Sequence, residues 1–208
     1  MKLNLGFRMA STMADELERR DGPRWNQLYE TAAAQEGHFT TAQAAEACYY
    51  PQLLAKYLKN GRFVRVRRGV YRLVHFPPGD HEDLVVIWLW ADRIGVFSHE
   101  TALALHQLSD ALPAKAHLTL PAVWRDRRLQ APTGVTLHFA DLDDADRAWS
   151  GAVQLTTPAR TVVDCAASGV SPGLLKQAID EGLHRGLFTE SMVEPAREYL
   201  RSFGVGEP

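Results

Sequence analysis

Pro51-Gln52-Leu53-Leu54-Ala55-Lys56-Tyr57-Leu58-Lys59-Asn60-Gly61-Arg62-Phe63-Val64-Arg65-Val66-Arg67-Arg68-Gly69-Val70-Tyr71-Arg72-Leu73 changes its apolar period part-way along. Up to Lys59 the residues Leu53, Leu54, Tyr57 and Leu58 recur at the spacing of one helical face, which leaves Gln52, Ala55, Lys56 and Lys59 on the other. Pro51 suits a first helical position, where its missing amide costs nothing, and Asn60-Gly61 supplies a left-handed stop. From Phe63 the period falls to two. Phe63-Val64-Arg65-Val66 and Val70-Tyr71-Arg72-Leu73, joined through Arg67-Arg68-Gly69, therefore predict a hairpin with arginines at its tip.

Upstream, Trp25, Leu28, Tyr29 and Ala32 follow the i, i+3, i+4, i+7 stripe of an amphipathic helix that Gly37 should end. Thr40-Thr41-Ala42-Gln43 matches a capping box, in which the Thr40 hydroxyl and the Gln43 amide each satisfy the other residue's backbone N–H. A short second helix starts there, and Tyr49-Tyr50 form a tight connection to the third. A helix, a capped short helix, a basic helix and a basic hairpin, in that order, predict a winged helix-turn-helix over residues 23–76. Residues 1–22 carry no sustained period and are expected to form an arm or short helix.

Lys56, Lys59, Arg62, Arg65, Arg67, Arg68 and Arg72 lie in a segment, Ala47 to Val74, that contains no acidic residue. The whole chain carries a formal charge of -2, so the remainder sums to about -9. Such polarisation suits a protein that offers one basic face to duplex DNA. Gln52, Lys56 and Lys59 are expected to enter the major groove, with Tyr50 at the mouth of the helix, because Gln can pair with adenine and Lys with guanine edges or phosphates. Arg62, Arg65, Arg67, Arg68 and Arg72 are expected to hold phosphates. The DNA would be an operator, with inverted half-sites if the protein acts in pairs.

After Pro77-Pro78-Gly79 a second domain is expected over residues 80–208. Leu84 to Trp90 is apolar enough for a buried helix. Strands are expected at Ile94 to Phe97, Ala116 to Leu120, Val135 to Phe139 and Val153 to Leu155. Ser98 should cap a helix over Glu100 to Gln107, Thr157-Pro158 and Ser171-Pro172 each open another, and a last helix follows Thr189. The fold class is α+β, a winged helix-turn-helix followed by a mixed α/β domain.

Several residues here invite catalytic readings. His99 and His106 are seven apart, whereas a helical zinc pair would be four apart. His81-Glu82-Asp83 fits a helix start, where acids complement the dipole. Asp141, Asp143, Asp144 and Asp146 lack the glycine and closing glutamate of a calcium loop, and read as a solvated acidic loop. Arg160 and Asp164 are spaced to pair along a helix. No phosphate loop or nucleophile elbow occurs. The reading therefore names no catalytic residue, metal ligand or cofactor, and expects a protein that is not an enzyme. No apolar run approaches the roughly 18 residues of a membrane span, the opening residues are too poor in apolar side chains for a signal peptide, and a cytoplasmic protein is expected. Only two cysteines, Cys48 and Cys165, occur, so no disulfide framework is expected.

The segments Phe39 to Ala45, Leu53 to Leu58 and Gly61 to Tyr71 resemble the N-terminal domain of the AbiEi family. Phe97-Ser98-His99-Glu100-Thr101-Ala102-Leu103 and Leu155-Thr156-Thr157-Pro158-Ala159-Arg160-Thr161-Val162-Val163-Asp164 are similar to its C-terminal portion. The resemblance implies a transcriptional regulator that represses its own operon, and an antitoxin that counters a nucleotidyltransferase toxin, AbiEii. Two alternatives stay open at this point: a nuclease-like enzyme carried to nucleic acid by the winged helix, and a toxin-binding protein whose DNA binding is secondary.

Overall fold

The computed structural model describes residues 22–204, so the expected N-terminal arm lies almost wholly outside the described residues. The chain divides into two compact units, Met1–Glu82 and Asp83–Pro208.

The first unit opens with α1 (Trp25–Ala33), whose Leu28 and Ala32 are fully buried one turn apart. The chain then turns through Gly37 at φ +83°, and a Cβ there would stand 2.7 Å from the Phe76 ring. Both the backbone and the space therefore require glycine. β1 (His38–Thr40) follows. It pairs antiparallel with a later strand, Phe39 opposite Tyr71, and its three residues are too few to show a period of their own.

The capping box of α2 (Thr41–Glu46) forms as expected. The Thr40 hydroxyl accepts the Gln43 N–H at 3.2 Å and the Gln43 Oε1 accepts the Thr40 N–H at 2.9 Å. Gln43 is buried, and its Nε2 donates to Gln35 Oε1 at 2.8 Å while Gln35 Nε2 donates to the His38 carbonyl at 2.9 Å. This satisfied network ties α2 to the end of α1, since each buried group left unpaired would cost about 1–3 kcal/mol.

Cys48, in the left-handed region at φ +62°, turns the chain from α2 into α3 (Pro51–Lys59). β2 (Phe63–Arg67) and β3 (Val70–Leu73) form the hairpin, and the sheet order is β1-β3-β2. Phe63 is 2% exposed and lies against the rings of Phe39, Tyr57 and Tyr49, at centroid distances of 5.0, 5.0 and 5.9 Å. Truncating such a residue costs about 3–5 kcal/mol. Three helices packed on a small sheet that ends in a hairpin make this unit a winged helix-turn-helix.

The second unit is built on a five-stranded mixed sheet. α4 (Glu82–Trp90) begins at the boundary and buries Leu84, Val85, Trp88 and Leu89. Next come β4 (Val96–Phe97), α5 (His99–Leu105), β5 (Ala116–Leu120), β6 (Val135–Phe139), β7 (Arg147–Ser150) and β8 (Val153–Thr156). The sheet order is β6-β5-β4-β8-β7, with β4/β8 and β5/β6 parallel and the other pairs antiparallel. The expected strand from Ile94 shortens to two residues because Asp92 and Arg93 occupy left-handed turn positions just before it. β7 is an additional strand. α6 (Pro158–Ala167), α7 (Pro172–His184) and α8 (Glu194–Arg201) start close to where the sequence places helices, and with Leu103 and Leu108 they enclose a core around Val162, Cys165, Leu175, Ile179 and Leu200. The fold class is α+β. Among the described residues no helix is long and apolar enough to cross a membrane.

Candidate nucleic-acid interface

α3 presents the two faces its sequence requires. Leu54 is buried and Leu53, Tyr57 and Leu58 are half-buried, whereas Gln52, Ala55, Lys56 and Lys59 are exposed. Tyr50 stands exposed at the N-terminus of the helix. Gly61, at φ +68°, stops α3 and passes the chain to the hairpin, and the Arg62 guanidinium lies 5.4 Å from the centre of the Tyr57 ring. That cation–π contact positions Arg62 and leaves it exposed.

The hairpin is less regular than its sequence suggests. Arg65 is opposite Tyr71 and Arg67 opposite Val70, so Val66 is an extra residue in β2. The bulge breaks the alternation, and Val64, Arg65 and Val66 are all exposed. The turn itself is Arg68-Gly69, with Gly69 at φ +79°. A bulge next to a left-handed glycine increases local twist and re-aims the side chains of the tip.

Among the described residues, none of Lys56, Lys59, Arg62, Arg65, Arg67 and Arg68 is ion-paired with a carboxylate. These six carry uncompensated charge on α3, the following turn and the wing. Phosphate binding needs cations of this kind.

Arg72 is the correction to the expected set. Its Nη2 meets Glu82 Oε1 at 2.6 Å and its Nε meets the same oxygen at 3.2 Å. Its Nη1 donates to the Leu73 carbonyl at 3.1 Å, and Nη2 donates also to the carbonyls of Phe76 and Pro77 at 3.1 and 3.3 Å. Only 14% of the side chain is exposed. Arg72 thus fastens the residues that follow β3 and is not available to a phosphate. Burial opposes the charge on Glu82, but the Arg72 hydrogen bond and the Gly79 amide outweigh it and hold the carboxyl below its ordinary range. The Glu82 carboxylate accepts the Gly79 N–H three residues back, which explains why an acid opens α4.

The second unit holds the other residues singled out in the sequence. Arg160 pairs with Asp164 at 2.8 Å as its spacing requires, and also with Asp146 at 2.8 Å. The acidic loop is therefore not simply solvated: Asp146 is held by Arg160, and the Asp141 carboxylate accepts the Ala122 N–H at 3.0 Å. His106 hydrogen-bonds the Thr156 carbonyl at 2.7 Å, and burial holds its pKa below the ordinary value. Ser98 does not cap α5. Its hydroxyl instead bonds Thr119 Oγ1 at 2.7 Å and His99 Nδ1 at 2.8 Å.

His99 and His106 do not come together, but His99 meets two histidines that the sequence reading passed over, His117 on β5 and His138 on β6. The parallel register sets Thr119 opposite His138, so Thr119, His117 two residues before it and His138 share one face of the sheet. Knowledge of the β5/β6 pairing, which alternation within single strands cannot supply, would have been needed to see this. Burial first, and then the neighbouring His138, His117 and Arg160, press the pKa of His99 down to about 3; burial also lowers those of His117 and His138.

Residues 26–74 match the model of the AbiEi antitoxin family of transcriptional regulators. The AbiEi match runs from the second residue of α1 to the residue after β3, and so contains α2, α3, the wing and every one of the six cations named above. Among solved structures, the RV2827C protein from Mycobacterium tuberculosis has a similar fold, with a TM-score of 0.55 over 86% of this chain and 77% of that one, at 15% sequence identity. No curated protein matches the chain.

Proposed function

We propose that this chain is a DNA-binding transcriptional regulator of the AbiEi type, which binds an operator upstream of its own gene through α3 and the wing. The observation that carries the reading is the set of six cations that have no carboxylate partner among the described residues, on a winged helix-turn-helix that matches an AbiEi family model. Gln52, with Tyr50 beside it, would read bases in the major groove; Lys56 and Lys59 would enter the same groove and reach its flanking phosphates, and Arg62, Arg65, Arg67 and Arg68 would hold backbone phosphates as well. Repression would follow from occupancy of the promoter. The antitoxin half of the proposal is that the second unit counters a nucleotidyltransferase toxin encoded beside it.

The test is a mobility shift with the region upstream of the gene against a scrambled duplex of the same length and composition. Preferential binding to the upstream region, weakened by Gln52→Ala more than binding to the scrambled duplex is weakened, supports a sequence-reading regulator. Equal binding to both duplexes would contradict it. For the antitoxin half, expression of the neighbouring gene with and without this chain should show growth arrest that the chain relieves; a neighbour that is harmless alone would remove that half.

A further inference from the structure

We infer that His99, His117 and His138 form a binding site for one divalent transition-metal ion in the second unit, independent of DNA binding. One ring nitrogen from each of the three lies within 4.8 Å of the others. His138 Nε2 is 3.1 Å from His117 Nδ1, close to the roughly 3.3 Å edge of a tetrahedral site with metal–nitrogen bonds of about 2.0–2.1 Å.

The outer nitrogens of His99 and His117 already have the partners that metal-bound histidines use. The Ser98 hydroxyl holds His99 Nδ1 at 2.8 Å, and the Glu100 carboxylate lies 3.6 Å from His117 Nε2. These contacts leave His99 Nε2 and His117 Nδ1 as lone-pair donors; His138 Nε2, which hydrogen-bonds His117 Nδ1 in the absence of metal, becomes the third when its proton moves to its own Nδ1. Ser98 is itself anchored to Thr119, and the Thr101 hydroxyl accepts the backbone N–H of His117 at 2.8 Å, which fixes the strand that carries its ring. His99 occupies φ +53°, a left-handed position that costs a non-glycine residue about 1–2 kcal/mol. The position places its ring over that of His138, with the centroids 3.6 Å apart.

The lone pairs of stacked rings lie in parallel planes, and one ion cannot lie in both, so loading must tilt one ring out of the stack. His138 and His117 are only half-buried and have room to turn, whereas His99 is 8% exposed and fixed. The nearby Arg160 does not repel a cation strongly, because Asp146 and Asp164 neutralise it. Three neutral imidazoles with one position left for water suit zinc, cobalt or nickel better than magnesium or calcium, which prefer oxygen.

The test uses the full chain without a histidine tag, titrated with Co²⁺ and followed by visible d–d absorption, with Zn²⁺ competition to measure affinity. One equivalent of Co²⁺ should produce an intense spectrum of low coordination number that Zn²⁺ abolishes. His117→Asn and His138→Asn should each lose that spectrum while far-UV circular dichroism stays native, the exposed His75→Asn should keep it, and Glu100→Gln should weaken binding by about 10–100-fold. A wild-type protein that develops no such spectrum, or folded His117 and His138 variants that bind as the wild type does, would overturn the site.

Discussion

Arg72 separates a structural arginine from a DNA-binding one, and replacing it with Met tests both halves of that distinction. The change removes two hydrogen bonds to Glu82 and three to backbone carbonyls, while leaving the aliphatic stem in place. Breaking a fully buried pair costs about 3–5 kcal/mol and an exposed one about 0–1. With the two side chains 14% and 30% exposed, the loss falls between these, at about 1–3 kcal/mol. Equilibrium urea unfolding, followed by fluorescence of Trp25 in a background where Trp88, Trp90, Trp124 and Trp149 are replaced by Phe, should show the midpoint falling with little change in slope.

The DNA side has its own number. If six phosphates are neutralised, log affinity falls against log salt with a slope of about -5.4, and each true phosphate contact removed reduces that slope by about 0.9. Arg72→Met should leave the slope unchanged, whereas Arg65→Met should lower it to about -4.5. A stable Arg72→Met protein whose slope falls as much as that of Arg65→Met would refute the assignment and return Arg72 to the phosphate-binding set.

Gly37→Ala should destabilise the first unit by at least about 1–2 kcal/mol, because it places a side chain at φ +83° and drives the new methyl into Phe76; an unchanged urea midpoint would contradict this. Gly182→Ala sets two effects against each other: alanine improves helix propensity by about 1 kcal/mol, but its methyl would stand 2.1 Å from the Phe188 ring. Overpacking of that kind costs about 1–3 kcal/mol, so the melting temperature should fall, and a rise would show that Phe188 moves aside freely. His38 and His106 are held neutral chiefly by burial, with pKa values below that of the unfolded chain. Their contribution is complete above about pH 6.5 and is lost as pH falls below it, because the unfolded chain takes up protons that the folded one refuses, at up to about 1.4 kcal/mol per pH unit for each group. Thermal melts from pH 7.5 towards pH 5 should show the loss, to which His99, His117 and His138, also lowered by burial, add in the same direction, and His106→Gln should reduce it without abolishing it.

The parts of this molecule that were legible in its sequence are those written in local periods and caps. The stripe of α1, the Thr40/Gln43 box, Pro51 at the start of α3 and the change from helical to alternating spacing at Phe63 each depend on neighbours within a few residues. What escaped depends on distant partners. β1 is a strand only because β3 lies beside it, and the bulge at Val66 shows only once β2 is paired. The loss of Arg72 from the interface has the same origin, since Glu82 lies ten residues away across a turn and a charge count treats both as free. The histidine cluster is the extreme case: its three members lie on three elements, and only the sheet register assembles them.

Whether α3 and the wing bind DNA through uncompensated charge is decided by the salt dependence of duplex binding, read by fluorescence anisotropy for the wild type and for a variant with Arg65, Arg67 and Arg68 all changed to Ala. The expected slope is about -5.4 for the wild type and about -2.7 for the variant, with native circular dichroism in both. A folded wild-type protein that binds duplex with a slope near zero, or a variant that binds as the wild type does at every salt concentration, would contradict it.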